Sequence, residues 1–458
     1  MTERENTVER YGAAVAPPSA SGNGGATRPG GGRPRVRGPI LRGALAAAVG
    51  LLALAASASP ASAAPTPTPA SSASAVPSPA PTSASSASPT LVPPVPPAPA
   101  TPTGAASLPA PTGSHPVGAT FLYLKDTSRP DPWVPTVKAR ELMVSLWYPA
   151  KSPGGRRAPY MTPQESEALL KGEGITNLPL DILSKTRTNA FLDAKPAGRK
   201  HSLPLVVLSP GFTRSRKTLT GLAEELASRG YVVAGIDHTY ESRGTSFPDG
   251  RVAPCAACEV DDQEGFHEKA VDGRAADVSF VLDELTGPHS KWKGASLIDR
   301  SRIGMSGQSI GGASSVAAML KDDRIRAGIN ADGTTHAPIP QSGLARPFMF
   351  LGNQERHSPG GGDTSWDRDW KLLTGWKRWL VVAGAAHASF TDLPLLADQL
   401  GVPHGAEISG ARSLEITGQY VHAFFDLHLR GERQPLLDGP SARYPEVKHC
   451  SVDTKTCQ

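Results

Sequence analysis

Arg302-Ile303-Gly304-Met305-Ser306-Gly307-Gln308-Ser309-Ile310-Gly311-Gly312 is the stretch from which the fold can be read. An apolar-alternating run ends at Gly307, and an alanine-rich pattern of helical period begins at Ile310 and runs to Leu320. Between them stands G-x-S-x-G, centred on Ser309. A bare G-x-S-x-G is common by chance, but a strand, a tight turn and a helix in that order form the setting in which it exposes a nucleophilic serine. The turn forces Ser309 into a sparsely allowed backbone conformation, so its neighbours two residues away must be almost without side chains. Gly307 and Gly311 meet that demand, and Gly312 lets the new helix lie close to the sheet.

The flanking chain repeats the same rhythm. Strands are expected at 117–124 and 142–148, then at 205–208, 231–236, 303–305, 325–330, 348–351 and 379–382. Helices are expected at 219–228, 270–285, 310–320 and 411–429, so strands and helices alternate from residue 203 onward. That alternation means a mostly parallel sheet with helices on both faces, and functional groups at the carboxyl ends of its strands. Residues 159–192 fall outside the rhythm. Thr162, Pro163 and Glu165 form a helix start with a capping box. Leu169, Leu170, Ile175, Leu178, Leu180 and Leu183 then make this segment either a small cap over the site or a peripheral helix on the core.

A serine hydroxyl needs a base within hydrogen-bond reach, and that base needs a group to hold its tautomer. Of twelve histidines, His387 follows the last strand in a loop of small residues and comes after both a serine and an acid. His238 also ends a strand but precedes the nucleophile, which suits a structural or pocket-lining role; His336 and His357 sit in loops with no stronger claim. Two acids stand at strand ends: Asp332, after the strand that follows the Ser309 helix, and Glu355, after the next one. For the oxyanion, the backbone N–H of Ile310 is one expected donor. The other is that of Phe212, in Ser209-Pro210-Gly211-Phe212, where glycine permits close approach. The tryptophans at 366, 370, 376 and 379 read more readily as core than as a substrate platform, since Trp366 and Trp370 share a helical face.

Length, composition and charge bound the rest. The 458 residues carry 47 Lys+Arg and 42 Asp+Glu. Seven Arg and three Glu lie within 1–63, which leaves 40 basic against 39 acidic residues beyond it, so no nucleic-acid partner is indicated. Residues 1–63 read as a cleaved secretory signal: Arg33, Arg35, Arg37 and Arg42 precede an apolar run at 44–56, and Ala61-Ser62-Ala63 is an A-x-A site. The apolar run is short and alanine-rich for a membrane span. No arginine pair precedes it, and no cysteine follows the cleavage site to take a lipid. Residues 64–112 are nearly all Ala, Pro, Ser and Thr and read as a disordered linker. The catalytic domain is therefore expected at 113–458. Four cysteines fit an oxidising compartment, and the local pairs Cys255–Cys258 and Cys450–Cys457 are favoured over a redox or zinc site.

Taken together, Arg140-Glu141-Leu142-Met143-Val144-Ser145-Leu146-Trp147-Tyr148-Pro149, Pro159-Tyr160-Met161, Ser209-Pro210-Gly211-Phe212, Gly307-Gln308-Ser309-Ile310-Gly311-Gly312, Ala331-Asp332-Gly333 and His387-Ala388-Ser389-Phe390-Thr391-Asp392 resemble the platelet-activating factor acetylhydrolase-like branch of secreted bacterial α/β-hydrolases. The resemblance implies the α/β-hydrolase fold and selects Asp332 over Glu355 as the acid. It also supports Phe212 and Ile310 as oxyanion donors. It implies a serine esterase acting on short-acyl phospholipids or related lipid esters through an acyl-enzyme, with transient contact at a lipid interface and no metal or organic cofactor. Pro210 departs from the family, whose members often carry histidine there. Its Pro-Gly pair is similar to the loop of lipases and polyester hydrolases, which makes a general enzyme of that kind the nearest alternative. An acyltransferase and a non-catalytic binding domain tethered to the envelope are the more distant ones. Acyl-chain preference and oligomeric state are not legible.

Overall fold

The computed structural model describes residues 105–458. The signal at 1–63 and residues 64–104 of the expected linker lie outside the described residues. The folded part begins earlier than 113. Ala106 and Leu108 are buried among Tyr160, Leu170 and Leu396, and the chain there pairs with Arg187 through Leu108 N–H to Arg187 O at 2.9 Å and Arg187 N–H to Ala106 O at 2.8 Å. Alanine, proline and serine around one leucine carry no local signal of such pairing, because the partner strand is some eighty residues away in sequence.

The strands are β1 (Val117–Asp126), β2 (Arg140–Pro149), β3 (Phe191–Leu192), β4 (Leu203–Ser209), β5 (Val232–Asp237), β6 (Thr245–Ser246), β7 (Val252–Ala253), β8 (Ile298–Gln308), β9 (Ile325–Ala331), β10 (Phe348–Asn353), β11 (Lys377–Val382), β12 (Val447–Ser451) and β13 (Thr456–Cys457). The helices are α1 (Pro163–Gly172), α2 (Thr220–Ser228), α3 (Phe266–Thr286), α4 (Ile310–Lys321), the single turn α5 (Gln354–His357), α6 (Ser365–Trp370), α7 (Leu393–Leu400) and α8 (Gly410–Phe425). One sheet holds eleven strands in the order β13-β12-β11-β10-β9-β8-β4-β5-β2-β1-β3. Neighbours from β5 through β4, β8, β9 and β10 to β11 run parallel. The first two long strands join antiparallel, as does a C-terminal hairpin that periodicity did not reveal. This is the α/β-hydrolase arrangement.

Both faces are covered, and β4 shows how. Leu205 and Val207 point into a core with Val278 of α3 and Val316 of α4. Val206 and Leu208 point into a second core with Leu226 of α2 and Phe424 of α8. The central strands are apolar throughout because neither face meets water. Both expected cysteine pairs are bonded, Cys255–Cys258 in a loop and Cys450–Cys457 across the terminal hairpin.

The segment from α1 onward has the capping box read from Thr162 and Glu165. Leu169, Leu170, Ile175, Leu178 and Leu183 line an apolar cavity of ≈ 350 Å³ with Leu393, Leu396 and Leu400 of α7. Leu180 does not join them; it is exposed. Two of the four tryptophans are fully buried core: Trp366 stacks on Phe350 at 4.4 Å, and Trp379 meets Trp366 and the half-buried Trp370 at 5.7 Å. Trp376 lies apart, against Phe424 and His428.

Because Leu108 is buried in a region read as linker, Leu108→Ala should lower the unfolding free energy by roughly 2–3 kcal/mol. Urea unfolding followed by far-UV circular dichroism measures it. An unchanged midpoint would return this segment to the linker.

Candidate active site

β8 ends at Gln308, α4 begins at Ile310, and Ser309 between them has φ 58 and ψ −130. Such a conformation costs a non-glycine residue on the order of 1–3 kcal/mol and survives only when its surroundings hold it. Here Ser309 N–H donates to Ala331 O at 2.8 Å, and Ser309 O accepts from Gly312 and Ala313 at 2.8 and 3.1 Å. A Cβ on Gly307 would lie 2.3 Å from the Gly311 backbone, and one on Gly311 would lie 2.1 Å from Ser209 O. The flanking glycines are thus demanded by close backbone approach, not by their own dihedral angles.

Asp332 follows β9 and is buried. Its Oδ2 accepts from His387 Nδ1 at 2.6 Å. Its Oδ1 accepts from the Asn353 backbone at 2.6 Å, and Asn353 Nδ2 reaches both oxygens at 2.9 and 3.0 Å. With the carboxylate accepting from Nδ1–H, the free lone pair of the imidazole sits on Nε2. His387 itself is exposed over more than half of its side chain (58%). Ser309 and His387 line one cavity of ≈ 410 Å³. Among the described residues no hydrogen bond joins Ser309 Oγ to His387. The ring Nε2 instead lies 3.4 Å from Gln308 Nε2, whose amide also donates to His387 O at 2.9 Å. Such pairs often tighten only around substrate. Glu355 is placed elsewhere: it is exposed, in a separate cavity with Gln354, Ser358 and Glu407.

Phe212 follows β4 and Ile310 opens α4, and both line the same cavity as Ser309. Among the described residues neither backbone N–H has a protein acceptor. At Ile310 this follows from helix geometry, since the first-turn donors have no intrahelical partner. Gly211 brings the Phe212 loop against the nucleophile, where a Cβ would lie 3.3 Å from that of Ser309 and 2.4 Å from Gln308 Oε1.

Several residues at the site were not singled out by pattern. Phe266, His267, Thr334, His336 and Arg356 complete the cavity wall. The rings of His267 and His336 stack at 4.1 Å and 14°, and Phe266 meets Phe212 edge-on at 5.2 Å. Burial first, then the charge of His267, pushes the His336 pKa down to about 4, so its ring is neutral near pH 7. His357 stacks on Trp366 with its Nε2 3.5 Å from Asp332 Oδ1. Burial lowers its pKa as well. His336 and His357 therefore have more part in the site than their loop positions implied. Asn353 could have been noticed, because it ends a parallel strand beside Asp332; of the wall residues, Phe266 and His267 come from α3, Thr334 and His336 from the loop just after Asp332, and Arg356 from α5. The apolar cavity under α1 borders the same two loops, reaching Ala388 beside His387 and Arg214 just beyond Phe212.

Residues 100–254 and 281–429 match the family described as platelet-activating factor acetylhydrolase, isoform II. A probable 1-alkyl-2-acetylglycerophosphocholine esterase of Arthroderma benhamiae is 30% identical over 381 residues, covering 74% of this chain and 92% of that protein. The platelet-activating factor acetylhydrolase of Cavia porcellus is 22% identical, covering 63% of this chain and 70% of that protein. Among solved structures, a ferulic acid esterase from Streptomyces cinnamoneus superimposes with a TM-score of 0.69 at 43% identity, covering 76% of this chain and 100% of that one.

Since Asp332 and not Glu355 holds His387, Asp332→Asn should lower kcat for a nitrophenyl ester by about 10,000-fold through loss of the tautomer. Glu355→Gln should stay within a few-fold. Steady-state kinetics of both variants decide it, and the reverse ranking would move the acid to Glu355.

Proposed function

The chain belongs to the platelet-activating factor acetylhydrolase isoform II family and is a carboxylesterase; from that premise we propose a secreted serine esterase that works through an acyl-enzyme. The observation carrying this is the 2.6 Å contact of Asp332 with His387 at the mouth of the cavity that also holds Ser309. In this reading His387 Nε2 takes the Ser309 proton as Oγ attacks the ester carbonyl. The Phe212 and Ile310 N–H groups receive the developing oxyanion. The proton then passes to the departing alcohol, and water drawn through the same imidazole hydrolyses the acyl-enzyme. Asp332 stays ionised and holds the ring.

For the substrate we favour a lipid ester with a short acyl group. The space at Ser309 is walled by the Phe212, Phe266, His267 and His336 rings and is where the acyl group would sit. The apolar cavity of ≈ 350 Å³ bordering the same loops suits an alkyl chain, and its half-buried Ile175, Leu178, Leu393 and Val402 suit transient contact with a lipid surface. This agrees with the activity named for the fungal relative. A second reading is an ester of a planar aromatic acid. The stacked His267–His336 wall favours it, and the Streptomyces neighbour is a ferulic acid esterase. Secretion rests on the signal read at 1–63, so the mature chain should begin after Ala63.

Ser309→Ala should lower kcat by about a million-fold, and an alkyl phosphonate should label the natural protein stoichiometrically at Ser309. Retained turnover or labelling elsewhere would remove Ser309 as nucleophile. Comparing a 2-acetyl phospholipid, its long-acyl analogue and methyl ferulate by kcat/KM separates the substrate readings. A preference for the ferulate would replace the lipid ester with the aromatic one.

A further inference from the structure

Directly beneath the Phe212 loop lies a second row of serine, histidine and aspartate. Ser209 Oγ is 2.9 Å from His238 Nε2, and His238 Nδ1 is 2.8 Å from Asp277 Oδ2. All three side chains are buried, and so are Arg274, Arg140 and Glu241 around them. Arg274 donates to Ser209 Oγ at 3.2 Å, to the carbonyl of Pro210, and to Glu241 Oε2 at 2.7 Å. Arg140 donates to Asp277 at 2.9 Å and to Asp131 at 2.6 Å. The direction of the row follows from its ends. Asp277 can only accept, so His238 Nδ1–H donates to it; with the ring neutral, Nε2 then accepts from the Ser209 hydroxyl, whose oxygen accepts from the Arg274 guanidinium. Ser209 is wholly buried, so no ester reaches its oxygen, which excludes it as a nucleophile.

The segment just past the row is strained and doubly held. Thr213, a β-branched residue, has φ 66, and Tyr240 in the facing segment has φ 68. Thr213 N–H donates to Glu241 O at 2.8 Å, and Arg243 N–H donates to Thr213 O at 3.0 Å. The Gly211–Phe212 peptide is therefore bracketed, with Arg274 gripping the carbonyl before it and Glu241 the amide after it.

We propose that Arg274, locked by Ser209, His238, Asp277 and Glu241, is a positioning residue that aims the Phe212 N–H at the developing oxyanion. The proposal rests on the serine-esterase reading. It assigns the four buried partners no chemistry of their own. They hold a backbone donor where charge appears, and a preorganised donor stabilises a transition state because it need not turn at the moment of reaction. Burial and the charge of Arg274 keep His238 neutral, as the direction of the row requires.

The test uses Ser209→Ala, which removes one hydroxyl from the lock, and Arg274→Lys, which keeps the charge but not the fork. Both are assayed with nitrophenyl acetate and with a trifluoromethyl ketone that forms a tetrahedral adduct on the nucleophile. Loss of a whole oxyanion donor costs about 100- to 1,000-fold in kcat, and a misaimed donor should cost part of that, roughly 10- to 100-fold. KM should change less than threefold, the ketone should weaken in parallel with kcat/KM, and the fraction of sites titrated by phosphonate should stay near one. Ser209→Ala keeps the test open if the lysine variant fails to fold. Unchanged kcat and ketone affinity in a folded Ser209→Ala would overturn the proposal, as would a loss confined to KM or to the titratable fraction. A natural protein that hydrolyses no ester would instead overturn the serine-esterase reading on which it stands.

Discussion

Where Gly311 meets the carbonyl of Ser209 there is no room for one more carbon: a methyl group would sit 2.1 Å from that oxygen. The end of β4 and the first turn of α4 therefore touch backbone to backbone. Everything at the site is referred to that contact. It sets the sharp turn at Ser309, presents the Ile310 amide at the open end of a helix, and brings the Phe212 loop alongside. The strain at Ser309 is sustained because neighbouring backbone groups over-determine it, including the bond from Ser309 N–H to Ala331 O.

The carboxylate arrives by the same logic from the next strand. β9 lies beside β8, with Gln308 opposite Ala331 in register, so Asp332 leaves the end of β9 level with Ser309 at the end of β8. Asn353, at the end of β10, then caps it with a backbone and a side-chain donor. Those donors fix the orientation of the carboxylate and leave one lobe of Oδ2 for His387. The imidazole is the least buried member of the trio and rides on a loop of small residues. Gln308 ties that loop to the nucleophile strand through the His387 carbonyl.

A heavier investment lies below the surface. Burying Arg140, Arg274, Asp277 and Glu241 away from water carries a desolvation cost that their mutual attraction offsets only when geometry is good. Burial would raise the Asp277 carboxyl, but the Arg140 guanidinium and the His238 hydrogen bond outweigh it and hold the group far below the ordinary carboxylate range. Apolar residues could fill this volume at less expense. The two guanidiniums hold the backbone carbonyls of Pro210 and Thr239 in directions that apolar packing does not define.

Much of this was legible from the chain alone, for a physical reason. Strand and helix periods, the glycines about Ser309, the capping box at Thr162 and Glu165, and the local cysteine pairs are short-range constraints, and each leaves its mark within a few residues. The α/β-hydrolase fold and the neighbourhood of Ser309, Asp332, His387, Phe212 and Ile310 follow from them. The tertiary structure decided what depends on distant partners: that Asp332 rather than Glu355 meets His387, that residues before 113 belong to the domain, and that the segment after α1 roofs an apolar cavity beside the site. It also decided that His238, read on sequence as structural or pocket-lining, belongs to a buried row with Ser209 and Asp277. No periodicity encodes such a row, because its members lie on three separate elements and meet only once the sheet has formed.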